Sequence, residues 1–305
     1  MSLVINHNMM AATAARNLNN SYSALSVSTQ RLSSGLRINS ASDDAAGLAI
    51  RELMRADIAS INQGVRNAND AISMIQTADG ALQVVDEKLI RMKELAEQAS
   101  TGTYTSDQRL IIDSEYQAMA SEITRIANAT DFNGIYLLNG NLSSDATNVA
   151  DWADTHDGGG LAAAGPLKVH FGTGNDSAED YYYIAIGNST ASALGVGNAS
   201  APGAGFSIST QEGAQEALDA LNEAITSKDN IRANLGALQN RLENTITNLQ
   251  IQAENLQAAE SRISDADVAT EMTNFVRNQI LTQSAVAMLS QANTLPQMAL
   301  QLMQG

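Results

Sequence analysis

A seven-residue repeat of apolar side chains is the feature that most restricts what this chain can fold into. From Ile61 to Ala96, apolar residues recur in alternating steps of three and four, with Asp79 as one polar interruption. Such a stripe is typical of a helix that packs along its length against other helices. A helix from about Asp44 to about Ser100 would extend roughly 80 to 85 Å at a rise of ~1.5 Å per residue, too long for an ordinary globular helix. The members of the stripe are Val65, Ala68, Ile72, Ile75, Leu82, Leu89, Met92 and Ala96.

Two further stripes predict partners for this helix. Thr105 and Gln108 form a capping box ahead of the first, and Ser209 and Glu212 form one ahead of the second. The first stripe contains Ile112, Tyr116, Met119, Ile123 and Ile126. The second contains Leu218, Leu221, Ile225, Ile231, Leu235, Leu238, Leu242, Ile246, Leu249, Ala253, Leu256 and Ile263. Three such helices can bury one another, so we predict a mainly α fold, an elongated antiparallel bundle or coiled coil formed by the N- and C-terminal segments.

The middle of the chain differs from both flanks. Twelve of the 21 glycines fall between Gly140 and Gly205. The runs LKVHF and YYYIAI, separated by GTGNDSAED, predict a small β-hairpin, and a further strand is expected at 132–138. The Asp- and Gly-rich stretch at 141–166 is expected to be an exposed loop.

Two polar breaks interrupt the helical flanks at similar distances from the chain ends. In QRLSSGLRINSASDDAAG, Gly35 suits the end of a helix, and Ser42, Asp43 and Asp44 suit the start of the next. A matching break is SRISDADVAT, near the other end. Matched breaks predict a terminal coiled coil of paired helices. The expected domains are 1–43 with 264–305 (terminal coiled coil), 44–140 with 206–263 (helical bundle) and 141–205 (small β-hairpin and loop surface region).

The terminal segments are too apolar to be satisfied alone. The last stretch carries no charge after Arg277 but many large apolar residues, and such a helix needs an apolar partner. We expect both termini to become ordered only when neighbouring copies cover them. The predicted subunit-packing residues are Leu18, Leu25, Leu32, Ile72, Ile75, Leu235, Leu242, Leu249, Val286, Leu289 and Leu300.

Composition argues against several classes of function. With 17 Lys and Arg against 33 Asp and Glu, the net charge of −16 does not suit nucleic-acid binding. The absence of cysteine removes disulfides and thiolate catalysis. No secretory signal peptide and no membrane span are expected from the sequence.

No motif predicts an enzyme or a cofactor site. His7, His156 and His170 lack the spacing of metal ligands. In DWADTHDGGG the aspartates are three apart rather than two, and no Glu closes the loop, which argues against calcium. GTGNDS and GVGNAS lack the third glycine of a dinucleotide site. We therefore expect no catalytic residues, no metal and no cofactor.

Long motifs near both ends resemble bacterial flagellin, the subunit of the flagellar filament. These motifs are QRLSSGLRINSASDDAAGLAI, IRMKELAEQA, DFNGIYLLNG and ILTQSAVAMLSQANTLPQMALQLM, which occur in this order. The resemblance implies a structural, extracellular subunit that is exported unfolded by a flagellar type III apparatus and polymerises with copies of itself. It implies that the terminal helices form the inner core of the filament and the long helices its outer core.

The resemblance also implies partners. Flagellar cap and hook-filament junction proteins would meet the filament ends, and a cytoplasmic export chaperone would bind the C-terminal segment. The implied chaperone-binding residues are Ile280, Val286, Leu289, Leu295 and Met298.

A host Toll-like receptor is a further implied partner, through Arg91, Leu95 and Glu115. The same three residues have a purely structural interpretation. In it Leu95 is a packing residue, and Arg91 and Glu115 form an interhelical ion pair that contributes little if exposed.

Two alternatives to a filament subunit stay open at this point. A hook-filament junction protein shares the plan of terminal coiled coils, and it should not form long filaments alone. An extracellular enzyme carried on a flagellin scaffold is the other, although the middle region offers no catalytic set.

Overall fold

A computed structural model describes residues 8–143, 165–176, 179–196 and 207–304. The described elements are five helices and four short strands. The helices are α1 (Met9–Ser34), α2 (Ala45–Ser100), α3 (Ser106–Ala129), α4 (Gln211–Ser264) and α5 (Val268–Gln304). The strands are β1 (Asp131–Phe132), β2 (Ile135–Tyr136), β3 (Leu167–His170) and β4 (Tyr181–Ile184). The mainly α fold with a small β region is confirmed.

Short-range hydrogen bonds explain where the helices begin. Thr105 and Gln108 form the predicted capping box at α3, and the Asp44 carboxylate accepts the Gly47 N–H at 2.9 Å at the start of α2. The predicted cap of α4 is wrong by one residue. Thr210, not Ser209, caps it, because the Thr210 hydroxyl accepts the Gly213 N–H at 3.1 Å.

The chain forms two compact units, 1–58 with 254–305 and 59–253. Their boundaries fall within α2 and α4 rather than at the two polar breaks. The β3–β4 hairpin belongs to the second unit, and the three-domain division expected from the sequence stays a prediction. The predicted loop at 141–166 and the Asp-rich DWADTHDGGG lie almost wholly outside the described residues.

The core of the second unit comes from the heptad faces of α2, α3 and α4. Leu82, Leu89 and Ile123 are among its completely buried residues. Tyr116 is also fully buried, and its hydroxyl has no hydrogen-bond partner among the described residues. Burial, assisted by the charge of Asp113, raises the pKa of Tyr116 so that the phenol stays neutral.

Two antiparallel hairpins complete the second unit. The β3–β4 hairpin is the one that the sequence predicted, with Val169 opposite Tyr182. The expected single strand at 132–138 is wrong, because the chain turns back at Asn133-Gly134 to pair β1 with β2. Both turn residues have positive φ, 52° and 81°, as a two-residue turn between right-twisted strands requires.

The two polar breaks, 35–44 and 265–267, meet in the first unit. Gly35 ends α1 in the left-handed conformation at φ 72°. The Arg37 N–H donates to the Ser264 carbonyl at 2.7 Å, and the Ala266 N–H donates to the Gly35 carbonyl at 2.9 Å. The Arg37 guanidinium also donates twice to the Ile263 carbonyl, at 3.1 and 2.6 Å. The two breaks therefore form hydrogen bonds with each other's backbone groups. The acceptors include the Ile263 carbonyl, which lacks a partner within α4 because it lies in the last turn of that helix.

Candidate assembly surface

Helices α1 and α5 pair antiparallel in the first unit. Asn8 Nδ2 donates to the Ala292 carbonyl oxygen at 2.8 Å. At the other end of the pair, Arg31 Nη1 lies 3.8 Å from Glu271 Oε2. The start of α1 therefore lies beside residue 292, and α5 continues beyond it to Gln304.

This helix pair has no apolar core of large side chains among its described residues. Ser28 is the only buried residue of α1, and Glu271 and Ala292 are the buried residues in the described part of α5. The fully buried positions of the seam are thus small or polar, whereas a stable isolated helix pair buries large apolar side chains. The pair buries none of its described large apolar side chains completely within one chain.

The predicted packing residues of the termini are only partly covered. Leu18, Leu25, Leu32 and Leu289 are half-buried, and Val286 is 53% exposed. The side chains of Leu295 and Leu300 lie outside the described part of the chain.

Many large apolar residues of the pair face solvent, and together we call them the terminal apolar face. Large exposed apolar patches mark interaction sites in soluble proteins. Its members are Met9, Met10, Tyr22 and Val27 on α1, and Val268, Met272, Val276, Ile280, Leu281, Val286, Met288 and Met298 on α5. The predicted set lacked most of them. Part of the signal was present, because Val268, Met272, Val276 and Ile280 recur every four residues, so that successive members are neighbours on the helix surface.

A groove of ≈ 640 Å³ runs between the two helices. Met9, Met10, Leu281 and Met288 line it together with Ala14 and Ala285, and the rest of its lining is polar but uncharged: Thr13, Asn17, Asn20, Ser21 and Ser284. The groove therefore suits a helix that presents apolar and uncharged polar side chains.

The predicted packing residues of the central helices are more deeply buried than those of the terminal helices. Ile75, Leu235 and Leu242 are 1% exposed, and Leu249 is 8% exposed; Ile72 is half-buried. Their side chains pack within one chain. This agrees with three stripes that bury one another as a bundle, and a role of these residues in contacts between subunits stays a prediction.

Arg91 forms an exposed ion cluster on α2 and α3. Its Nε and Nη2 donate to Glu115 Oε1 at 3.0 and 2.8 Å, and its Nη1 donates to Glu94 Oε2 at 2.9 Å. Hydrogen bonds to Glu115 and then Glu94 raise the pKa of Arg91. Leu95, which was predicted with Arg91 and Glu115 as a receptor contact, is 1% exposed in the core. This burial favours the structural interpretation, in which Leu95 is a packing residue, and the receptor contact of the set stays a prediction.

The described residues hold no other obvious chemical site. Within 8–143, 165–176, 179–196 and 207–304, no three His, Cys, Asp or Glu side chains gather where they could hold a metal ion. None of the described helices combines the length and apolar character that crossing a lipid bilayer requires.

The paired terminal helices leave many of their large apolar side chains exposed. Such a pair is typical of a helical protein that assembles with other subunits. Residues 5–143 match the family model for the bacterial flagellin N-terminal helical region, and residues 218–303 match that for the bacterial flagellin C-terminal helical region. The chain belongs to the bacterial flagellin family, which is a family of structural proteins.

Two relatives that align along nearly the whole chain support this assignment. The chain is 40% identical to the flagellar filament 33 kDa core protein of Treponema phagedenis over 99% of this chain and 100% of that protein. It is 42% identical to a flagellin of Halalkalibacterium halodurans over the same shares of both chains. The crystal structure of Bacillus cereus flagellin aligns with 64% of this chain and 94% of its own, at 27% identity and a TM-score of 0.45.

Proposed function

We propose that this flagellin is the structural subunit of an extracellular flagellar filament, and that neighbouring copies cover its terminal apolar face. One observation carries the proposal: α1 and α5 form a helix pair whose large apolar side chains remain exposed. Copies of the same chain supply a matching apolar surface, and repetition of one contact builds a helical polymer.

Polymerisation of the purified full-length chain tests this function. Sulfate strengthens apolar burial because it is excluded from protein surfaces, so its addition should yield long filaments that sediment and are visible by electron microscopy. Failure to form long filaments in any such condition would favour a hook-filament junction protein and contradict the proposal.

The proposal includes export of the chain in the unfolded state before it is added to the filament outside the cell. The chain has no cysteine, so no disulfide has to be broken before it passes through a type III apparatus. A fusion to a small domain that a tight ligand keeps folded should be exported without the ligand and retained with it. Export that continues with the ligand present would contradict passage of unfolded chain.

The distal part of α5 fits a cytoplasmic export chaperone. Ile280, Val286 and Met298 are exposed, and premature polymerisation would follow unless a partner covers them. Cap and junction proteins would meet the same face at the filament ends. Ile280→Asp should abolish chaperone capture in a pull-down while Arg91→Ala retains it, and equal capture of both variants would count against this assignment.

The Arg91 cluster is the surface proposed for a host Toll-like receptor. Arg91 and Glu115 have side chains that are 47% and 44% exposed. Arg91→Ala in the monomer should lower receptor signalling at least ~10-fold, as expected for an arginine anchor. Arg125→Ala is the matched control, because Arg125 forms a similar pair with Glu122 on α3. Equal signalling by both variants would exclude the Arg91 surface.

A further inference from the structure

A lysine interrupts an otherwise apolar series in α4. Six residues of this helix recur every seven positions, and each is at most 8% exposed. Five are Ala or Leu, and the sixth is Lys228, which is 2% exposed. The series is Ala214, Leu221, Lys228, Leu235, Leu242 and Leu249. A charged residue at one core position of a heptad pattern reduces stability but selects one alignment of the helices.

Helix α2 presents buried residues with the same period. They are Ala68, Ile75, Leu82, Leu89 and Ala96. If α4 slid by seven residues along α2, apolar layers would again face apolar layers. Apolar packing alone therefore distinguishes poorly between the alignments.

Two ion pairs join α4 to α2. Lys228 Nζ lies 2.5 Å from Asp86 Oδ1 and 2.7 Å from Oδ1 of its neighbour Asp229. Arg232 Nε lies 2.7 Å from Asp79 Oδ1. The two cations are one helical turn apart on α4, whereas the two α2 carboxylates are one heptad apart. Because these spacings differ, a slide by one heptad cannot preserve both pairs.

We propose that the Lys228–Asp86 and Arg232–Asp79 pairs are a two-point lock that fixes the register of α4 on α2. A slide in one direction brings Lys228 to Asp79 and leaves Arg232 without a carboxylate. A slide in the other direction brings Arg232 to Asp86 and places Lys228 beside Lys93. Lys228 keeps its neighbour Asp229 in every register, but only the observed register gives both cations a carboxylate of α2.

The role of the lock is specificity rather than stability. Desolvation of the buried Lys228 ammonium offsets most of its attraction to the more exposed Asp86 and Asp229 carboxylates, and an apolar residue at 228 would complete the series in α4. Identical subunits of a filament need one register, since a slid subunit would present a different surface to its neighbours.

Cysteine cross-linking in the full-length chain tests the lock, because the chain contains no cysteine of its own. Lys93→Cys with Asn222→Cys reports the observed register, since Lys93 Nζ donates to Asn222 Oδ1 at 2.7 Å. Ser100→Cys with Asn222→Cys reports one slid register, and Lys93→Cys with Gln215→Cys reports the other. Each pair is treated with a short thiol-to-thiol cross-linker in dilute monomer.

The two halves of the lock predict slides in opposite directions. Without further substitution, only the reporter of the observed register should cross-link. In Lys228→Leu, cysteines at positions 100 and 222 should also cross-link, because a slide of α4 by one heptad lets Arg232 pair with Asp86. Arg232→Leu should add cross-linking of the Lys93 and Gln215 positions, because Lys228 then finds Asp79.

Control variants separate register from folding. Lys228→Arg keeps the charge and should cross-link only in the observed register. Lys228→Met, a filler of different shape, should behave as Lys228→Leu does, and both should keep the helical content and thermal midpoint of the parent. The lock is refuted if both apolar variants and Arg232→Leu cross-link only in the observed register, or if all of them slide in the same direction.

Discussion

Met288→Asp is expected to leave the soluble chain folded and to stop it from forming filaments. Met288 is 61% exposed, so the substitution should change the free energy of unfolding by less than ~0.5 kcal/mol. In the filament a neighbouring copy is expected to cover this position. Burial of an unpaired carboxylate costs about 4 kcal/mol or more, which corresponds to a roughly thousandfold higher critical concentration.

Met288→Leu is the matched control, because it keeps an apolar side chain of similar volume at the same position. Circular dichroism should give the same helical content for both variants, and sedimentation should recover filaments only from Met288→Leu. Normal polymerisation of Met288→Asp would show that this part of the terminal apolar face stays in solvent after assembly.

Gly64→Ala should destabilise the second unit strongly, although Ala normally favours a helix. A Cβ atom at Gly64 in α2 would lie 2.0 Å from the carbonyl oxygen of Phe171 and 2.8 Å from its Cα. Phe171 follows β3, and its backbone is held by hydrogen bonds from its N–H and that of Gly172 to the Asp180 carbonyl, both at 2.9 Å. The hairpin would have to move away from α2, at a cost of about 3 kcal/mol.

Gly80→Ala in the same helix provides the opposite result. A Cβ atom there would meet nothing within 4 Å, so the substitution should stabilise the chain by up to ~1 kcal/mol through helix propensity. Urea unfolding of both variants measures the difference, which should be about 4 kcal/mol. Equal effects of the two substitutions would contradict the close contact between α2 and the hairpin.

Helix ends could be predicted from the sequence where a few neighbouring residues decide them. Thr105 and Gln108 reach each other within one turn, and Gly35 needs only its own freedom at positive φ. The β1–β2 hairpin was missed although its signal is equally local, since Asn133-Gly134 is a favoured two-residue turn. The cap of α4 was misplaced because Ser209 and Thr210 are chemically equivalent candidates.

Partner choice between helices could not be predicted in the same way. Lys228 in the sequence resembles any solvated lysine, and only the packing of α4 against α2 shows that it is 2% exposed. Leu95 had two interpretations, as a receptor contact and as a packing residue, and only the assembled helices show that it is 1% exposed in the core. Burial is a property of several helices together, so one helix pattern does not assign it.

At the termini the sequence showed an apolar stripe, but it did not show which residues pack against that stripe. Val286 and Met288 belong to an apolar helix end, and within one chain both remain more than half exposed. A pattern predicts that an apolar face needs cover, but it does not say whether the same chain or another copy provides it.

Amide hydrogen exchange, measured on the same chain as dilute monomer and as filament, tests the central claim most directly. Residues 9–34 and 268–292 should exchange rapidly in the monomer, because their helix pair buries almost no large apolar side chain, and become strongly protected in the filament. Residues 68–99, which belong to the core of the second unit, should be protected in both states. Strong protection of both terminal segments in the monomer would contradict the claim that copies of the chain complete them.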